Sequence, residues 1–246
     1  MHDSKEHIVE RDWNQPNCLQ LLITAAISSN ACVRNLTNAP QSIGKKMARS
    51  LTDDLNPITT EKHIPSVVQE VFTAMVMHIE STGWGGACHS SSAIMHMLLK
   101  EKGVDSTIKI GEVGGGGYWF DHSWIEIDNL VFDAAVAYPQ VGGKRLGGPV
   151  FAGIDIVSGI ETTLTYGIGK KGGLEEEAQQ IALLSLGAYF QFADQHALVE
   201  AMGNGEQPPP ALWDRASYIG TDCGVHRSPA ELAREYFEVR RAETYA

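Results

Sequence analysis

No run of apolar residues in this chain is long enough to cross a bilayer. The longest apolar-leaning stretch, Leu19 to Val33, is broken by Thr24, Ser28, Ser29 and Asn30, whereas a spanning helix needs about 20 apolar residues. Positive charge is scarce as well: 19 Lys+Arg stand against 30 Asp+Glu, a net charge of −11. That balance argues against nucleic acid as the main partner, because phosphate contacts need clustered Lys and Arg. It also argues against docking on anionic membrane surfaces. Cysteine is sparse: Cys18, Cys32, Cys88 and Cys223 contain no C-x-x-C pair. The opening Met-His-Asp-Ser-Lys-Glu-His carries both signs of charge and no apolar core, unlike a secretory signal. The expectation is a cytoplasmic chain with reduced thiols. What remains, 246 residues of which 43% are hydrophobic, suffices for one sizeable core.

Helical and strand periodicities divide the chain. Leu19 to Val33 reads as a helix, and Ser42 to Leu55 as a second one closed by Asn56-Pro57. Val67, Val68, Val71, Phe72, Met75, Val76 and Ile79 recur at helical spacing up to Gly83, and a further helix runs from Cys88 to Lys102, closed by Gly103. The period then becomes two. Ser106 to Val113, Tyr118 to Ile127 and Leu130 to Ala137 alternate as strands, with Gly114 to Gly117 as a flexible lip and Asp128-Asn129 as a two-residue hairpin turn. Short strands are expected within Pro149 to Val157 and Thr162 to Ile168. Leu174 to Met202 reads as one long amphipathic helix with Glu175, Glu176 and Glu177 as its solvated start, broken by Pro208-Pro209-Pro210. Ser228-Pro229-Ala230-Glu231 is a capping box opening a last helix to about Arg241. The expected class is α+β in a single domain, 1–246, with a catalytic core at about 60–170, a helical N-terminal region 1–60 and a helical C-terminal region 174–246.

Cys88 follows a glycine-rich turn and opens a helix, where free backbone N–H groups and the helix dipole favour an anion. A thiol there has a lowered pKa and is a better nucleophile. A matching base follows from strand parity. With Asp128-Asn129 as the loop, Ile127 faces Leu130, Glu126 faces Val131 and Ile125 faces Phe132, so His122, Trp124, Glu126, Val131 and Asp133 share one side of the ribbon. His122 and Asp133 then form a diagonal cross-strand pair close enough to hydrogen-bond. Cysteine, histidine and acid in this order suit acyl transfer through a thioester. The Cys88 backbone N–H and the Trp84 indole N–H are candidate oxyanion donors, and Tyr118 and Trp119 are candidate substrate contacts beside the lip.

Other signals point elsewhere. His89 and His96 lie two helical turns apart, too far to share one ion, and Cys223 with His226 lacks a second pair, so no metal is expected. Gly114 to Gly117 has neither the spacing nor the lysine of a phosphate loop. Met75, Met77, Met95 and Met97 read as core fillers.

The stretch G-W-G-G-A-C-H, the helix after it, the strand I-K-I-G-E-V and then D-H-S-W-I-E-I-D-N-L-V-F-D resemble the transglutaminase-like branch of the papain-like superfamily. Members typically show a cysteine opening a helix, a strand with H-x-W, and an aspartate one strand later. Cys88, His122 with Trp124, and Asp133 match these positions. The G-G-x-C approach is also similar to arylamine N-acetyltransferases, and the compact H-S-W-I-E-I-D hairpin to the leader peptidases of lasso-peptide maturation. The resemblance covers about residues 83–137. The chain departs from these patterns in three ways: Thr82 stands where papain-type peptidases carry glutamine, Trp84 stands in place of the acetyltransferase arginine, and no calcium-binding carboxylate cluster is evident.

The resemblance implies a catalytic helix packed on an antiparallel sheet. No cofactor is expected, and Trp84, Trp124, Tyr118 and Trp119 are the candidate oxyanion or substrate contacts. The function expected is cysteine-dependent acyl transfer from a peptide or small amide or acyl substrate. Hydrolysis of the amide is preferred and transfer to an amine is the alternative. A non-catalytic peptide-binding module and a scaffold associating through the C-terminal helices are the readings from other classes.

Overall fold

The computed structural model describes residues 41–167 and 173–243. The expected helix Leu19 to Val33, Cys18, Cys32 and Ile168 lie outside them. Seven helices are described, with a curled sheet and a small three-stranded sheet beside it, so the class is mixed α+β. None of the described helices is long and apolar enough to cross a membrane.

The first helix, α1 (Gln41–Glu61), runs through Pro57 rather than stopping at Asn56. Gln69 of the next helix ties that turn down, donating from Nε2 to the Thr52 carbonyl at 2.9 Å and to Asn56 Oδ1 at 3.0 Å. α2 (Ser66–Thr82) buries Val68, Val71, Phe72, Met75, Val76 and Ile79, and Gly83 closes it in the left-handed conformation at φ 64. α3 (Cys88–Glu101) is buried over much of its length, Met95 and Met97 included.

α3 packs on a meander whose order places β1 (Thr107–Gly115) between β2 (Tyr118–Ile127) and the later strands. β3 (Leu130–Phe132) pairs with β2 in the expected register, Ile125 opposite Phe132 and Ile127 opposite Leu130. Asp128 and Asn129 supply the positive φ values, 50 and 63, of a tight two-residue turn. Ile108, Ile110, Ile125, Ile127 and Phe132 join the helices in the main core, while Val113, Trp124, Val136, Val150 and Leu164 form a second cluster. The third expected strand is shorter than its alternation suggests. It stops at Phe132 because Asp133 Oδ1 accepts the backbone N–H groups of Ala135 and Val136, each at 3.0 Å, and turns the chain.

The glycine lip is also resolved differently. Gly114 and Gly115 belong to β1, opposite Trp119 and Tyr118, and only Gly116 and Gly117 form the turn, at φ 58 and 82. A side chain at Gly114 would overlap the Trp119 ring, and one at Gly115 would overlap Leu164. The glycines make room for packing and do not form a slack loop.

β4 (Val150–Phe151), β5 (Ile154–Asp155) and β6 (Ile160–Glu161) form the small sheet, and β7 (Thr165–Tyr166) returns to β1 beside Val113 and Gly114. The long helix expected over Leu174 to Met202 is two helices, α4 (Glu176–Leu183) and α5 (Leu186–Asn204). Ser185 breaks the run: its side chain caps Ala188 N, and the Leu186 N–H leaves the helix ladder to reach the Val239 carbonyl at 2.7 Å. α6 (Leu212–Asp222) and α7 (Pro229–Tyr236) follow, the latter opened by the expected capping box. α7 ends five residues before Arg241, and the chain then crosses to β1 as β8 (Ala242–Glu243), the one parallel pairing described in an otherwise antiparallel sheet.

Candidate active site

Gly83 to Ala87 turn the chain from α2 into α3, and Gly86 donates its N–H to the Tyr138 carbonyl at 2.9 Å. Ala87 at the N-cap has no side chain to cap the helix, and the first turn carries no acidic residue. The N–H groups around Cys88 are therefore free to face an anion. Cys88 is half-buried on a cleft of about 600 Å³ that also exposes His89, His122, Trp84, Tyr118, Trp119 and Tyr189.

The histidine and the acid meet as parity requires. His122 Nε2 donates to Asp133 Oδ2 at 2.7 Å, with both side chains buried. With Nε2 engaged, Nδ1 is the nitrogen left to face the sulfur. Asp133 is held from every side: Oδ1 takes the two backbone bonds that end β3, and Oδ2 also accepts the Tyr166 hydroxyl at 2.9 Å. Its own burial, and then the charge and hydrogen bond of Asp133, raise the Tyr166 phenol well above its ordinary value, so it stays a donor.

These contacts set the charges. Burial pushes the Cys88 thiol up, but the imidazoles of His89 and His122, by charge and by hydrogen bond, hold it well below its usual value. For His122, burial acts downward, and Asp133 together with Cys88 overcomes it, raising the imidazole to about 10. Both directions favour a thiolate–imidazolium pair with the carboxylate behind it.

Sequence reasoning placed Cys88, His122, Asp133, Trp84, Tyr118 and Trp119 around one site, and all but Asp133, which lies behind His122, line the cleft. Tyr118 and Trp119 form its exposed rim, where Lys144 Nζ lies 4.3 Å from the centre of the Tyr118 ring. Trp84 stacks under Arg215, 4.4 Å from the ring centre. Trp124 is a correction. It is 1% exposed, donates its indole N–H to Glu126 Oε1 at 3.1 Å and packs on Tyr166 with ring centres 5.1 Å apart. It buttresses the residue that holds Asp133 and does not contact the cleft. The reason is that the strand passes into the second core cluster beyond His122.

Three residues were not legible as parts of the site. Tyr166 lies 33 positions after Asp133, in a two-residue strand with no motif. His89, weighed only as a metal ligand, stands beside the sulfur with its Nδ1 sharing a 2.7 Å hydrogen bond with Ser123 Oγ. His96 is engaged separately, by Ser106 Oγ at 2.9 Å. Tyr189, from α5, lines the cleft and shares a 2.9 Å hydrogen bond with Ser90 Oγ. Among the described residues no group of three metal-ligating side chains converges.

No family model, curated protein or solved structure matches this chain.

Proposed function

We propose that this chain is a transglutaminase-like cysteine enzyme that transfers an acyl group from an amide through a thioester on Cys88. The observation that carries the reading is the buried His122–Asp133 hydrogen bond of 2.7 Å behind a half-buried cysteine at an uncapped helix start. The Cys88 thiolate attacks the amide carbon. The carbonyl oxygen takes up the negative charge beside the Cys88 backbone N–H and the Trp84 indole N–H. Collapse breaks the C–N bond, and the His122 imidazolium gives its proton to the leaving amine. Neutral His122 then takes a proton from water as its oxygen attacks the thioester carbonyl, and the acid leaves as the thiolate reforms. Asp133 fixes the ring and stabilises the imidazolium throughout. Water is the default acceptor, so hydrolysis is the preferred outcome. An amine seated on the same side would give transfer by the same steps. A free thiol nucleophile fits the reducing, cytoplasmic setting expected from the cysteine usage.

The test is intact-mass analysis after rapid mixing with a panel of peptidyl and acyl anilides, with and without an added alkylamine. An acyl adduct mapped to Cys88, absent in Cys88→Ala, is the expected result. The product then separates hydrolysis (free acid) from transfer (new amide). Anilide turnover that survives Cys88→Ala, or binding with no adduct on any panel member, overturns the reading in favour of a binding module.

A further inference from the structure

Arg241 is a buried cation with too few partners. Its side chain belongs to a residue only 6% exposed, and a guanidinium taken out of water is costly unless its charge is compensated. One nitrogen, NH2, donates to the His89 carbonyl at 3.0 Å. The guanidinium carbon lies 4.4 Å from the centre of the Tyr189 ring. Nε and NH1 are buried with no hydrogen-bond partner. No described carboxylate forms an ion pair with it; the groups whose charge it feels are Tyr189 and Cys88.

Charge balance gives this geometry a meaning. Within the site, the His122 imidazolium and the Asp133 carboxylate neutralise each other. A Cys88 thiolate adds a further negative charge in a low-dielectric setting, where it is disfavoured unless positive groups lie close, and the His89 and His122 rings act in that sense. Arg241 adds a further positive charge, held against the first turn of α3 by its bond to the His89 carbonyl. Its position is fixed by the segment after α7. Arg240 NH1 donates to the Leu183 carbonyl at 2.6 Å, the Leu186 and Gly187 N–H groups reach the Val239 and Phe237 carbonyls, and a side chain at Gly187 would overlap the Phe237 ring. The charged and titratable groups around the sulfur are His89 from its own helix, His122 from β2 with Asp133 behind it, Tyr189 from α5, and Arg241 from this strap, which reaches the first turn of α3 through the His89 carbonyl and the Tyr189 ring.

We propose that Arg241 is a positioning residue of the site, the buried cation that offsets the charge of the Cys88 sulfur and keeps the nucleophile ionised before substrate binds. This rests on the reading of Cys88 as a nucleophile. Arg241 does not touch the cleft, so it acts through the first turn of α3 and through its field.

The experiment is the pH profile of Cys88 alkylation by iodoacetamide, read by peptide mass spectrometry, for the wild type, Arg241→Gln and Arg241→Lys, with thermal midpoints alongside. The expected wild-type profile has Cys88 reactive at about pH 6. In Arg241→Gln the profile moves upward by about one pKa unit, so the rate at pH values below the wild-type midpoint falls roughly tenfold. Arg241→Lys keeps the charge and stays within about threefold, although it loses the stacking on Tyr189. A folded Arg241→Gln with the wild-type profile overturns the proposal, because a purely structural role would lower the midpoint without moving the titration. If Arg241→Gln does not fold, citrulline placed at 241 by semisynthesis removes the charge at constant shape and is judged by the same shift. A wild-type Cys88 that reacts only above about pH 8 defeats the nucleophile reading itself, a different outcome from the failure of Arg241 alone.

Discussion

Replacing Asp133 with asparagine tests the reading of the site most directly. The carboxylate accepts four hydrogen bonds: His122 Nε2 at 2.7 Å and Tyr166 Oη at 2.9 Å on one oxygen, and the Ala135 and Val136 N–H groups at 3.0 Å on the other. Asparagine keeps the size but offers one acceptor oxygen and an NH2. Whichever way the amide points, the NH2 meets two donors, so two of the four bonds are lost. Hydrogen bonds to a charged group are worth about 1.5–3 kcal/mol each, which puts the loss of stability at roughly 3–6 kcal/mol. That is a large part of the roughly 5–15 kcal/mol that holds a domain. The chemical consequence is larger. Burial already acts against a charged His122, and without the carboxylate the imidazole reverts to its neutral form and the Cys88 sulfur to a thiol. Turnover should fall on the order of 10³–10⁴-fold, as expected when the acid behind a catalytic histidine is neutralised. The urea midpoint is read first. Alkylation of Cys88 is then compared at about pH 6, below the range of an unperturbed thiol, under conditions where both proteins are folded. A folded Asp133→Asn with an unchanged midpoint and wild-type alkylation at that pH would refute the reasoning, since the four bonds and the carboxylate charge would then contribute nothing.

Tyr166→Phe removes one of those bonds and leaves the charge, so it should cost about 1–2 kcal/mol in urea denaturation and shift the alkylation profile in the same direction as Asp133→Asn but by less; a larger shift than Asp133→Asn counts against the arrangement. The pair also makes stability depend on pH. His122 has its folded value raised from 6.5 to about 10, so its contribution is complete below pH 6.5 and is lost as pH rises through about 10. Cys88 is lowered, so its contribution is present above its unfolded value of 9.0 and is lost as pH falls through the folded one. Urea midpoints of the wild type should therefore drop toward alkaline pH more steeply than those of His122→Gln, and parallel curves would contradict the assignment. Gly114→Ala places a methyl where the Trp119 ring lies. Because Trp119 is 44% exposed it can swing outward, so the expected changes are a red-shifted tryptophan emission and a higher KM for the anilide substrates, with kcat nearly kept; an unchanged KM would remove Trp119 from the substrate rim.

The parts of this protein legible from the sequence are those governed by neighbours within one or two turns of chain. Gly83 and Gly103 close helices because a left-handed residue is needed there, at φ 64 and 76. Ser228 to Glu231 cap a helix by reciprocal bonds within four residues. The register that brings His122 to Asp133 follows from the length of the Asp128-Asn129 turn, because side chains alternate with a period of two. Local periodicity fails where a distant backbone competes for the same hydrogen bonds. Ser185 splits the expected long helix because the Leu186 N–H pairs with Val239, and α7 stops early because the chain beyond it is drawn to that same segment and then to β1. Pro57 stays inside a helix because Gln69 ties its turn from another element.

The same division runs through the site. Cys88, His122 and Asp133 were legible because a helix start and one hairpin position them. Tyr166, Tyr189 and Arg241 were not, because each arrives from a separate element that only the packed core brings within reach. Sequence alone determined which groups have the chemistry of a nucleophile, a base and an acid. The tertiary structure set the direction in which their ionisation shifts, since the burial and the partners that act on them come from elements far apart in the chain.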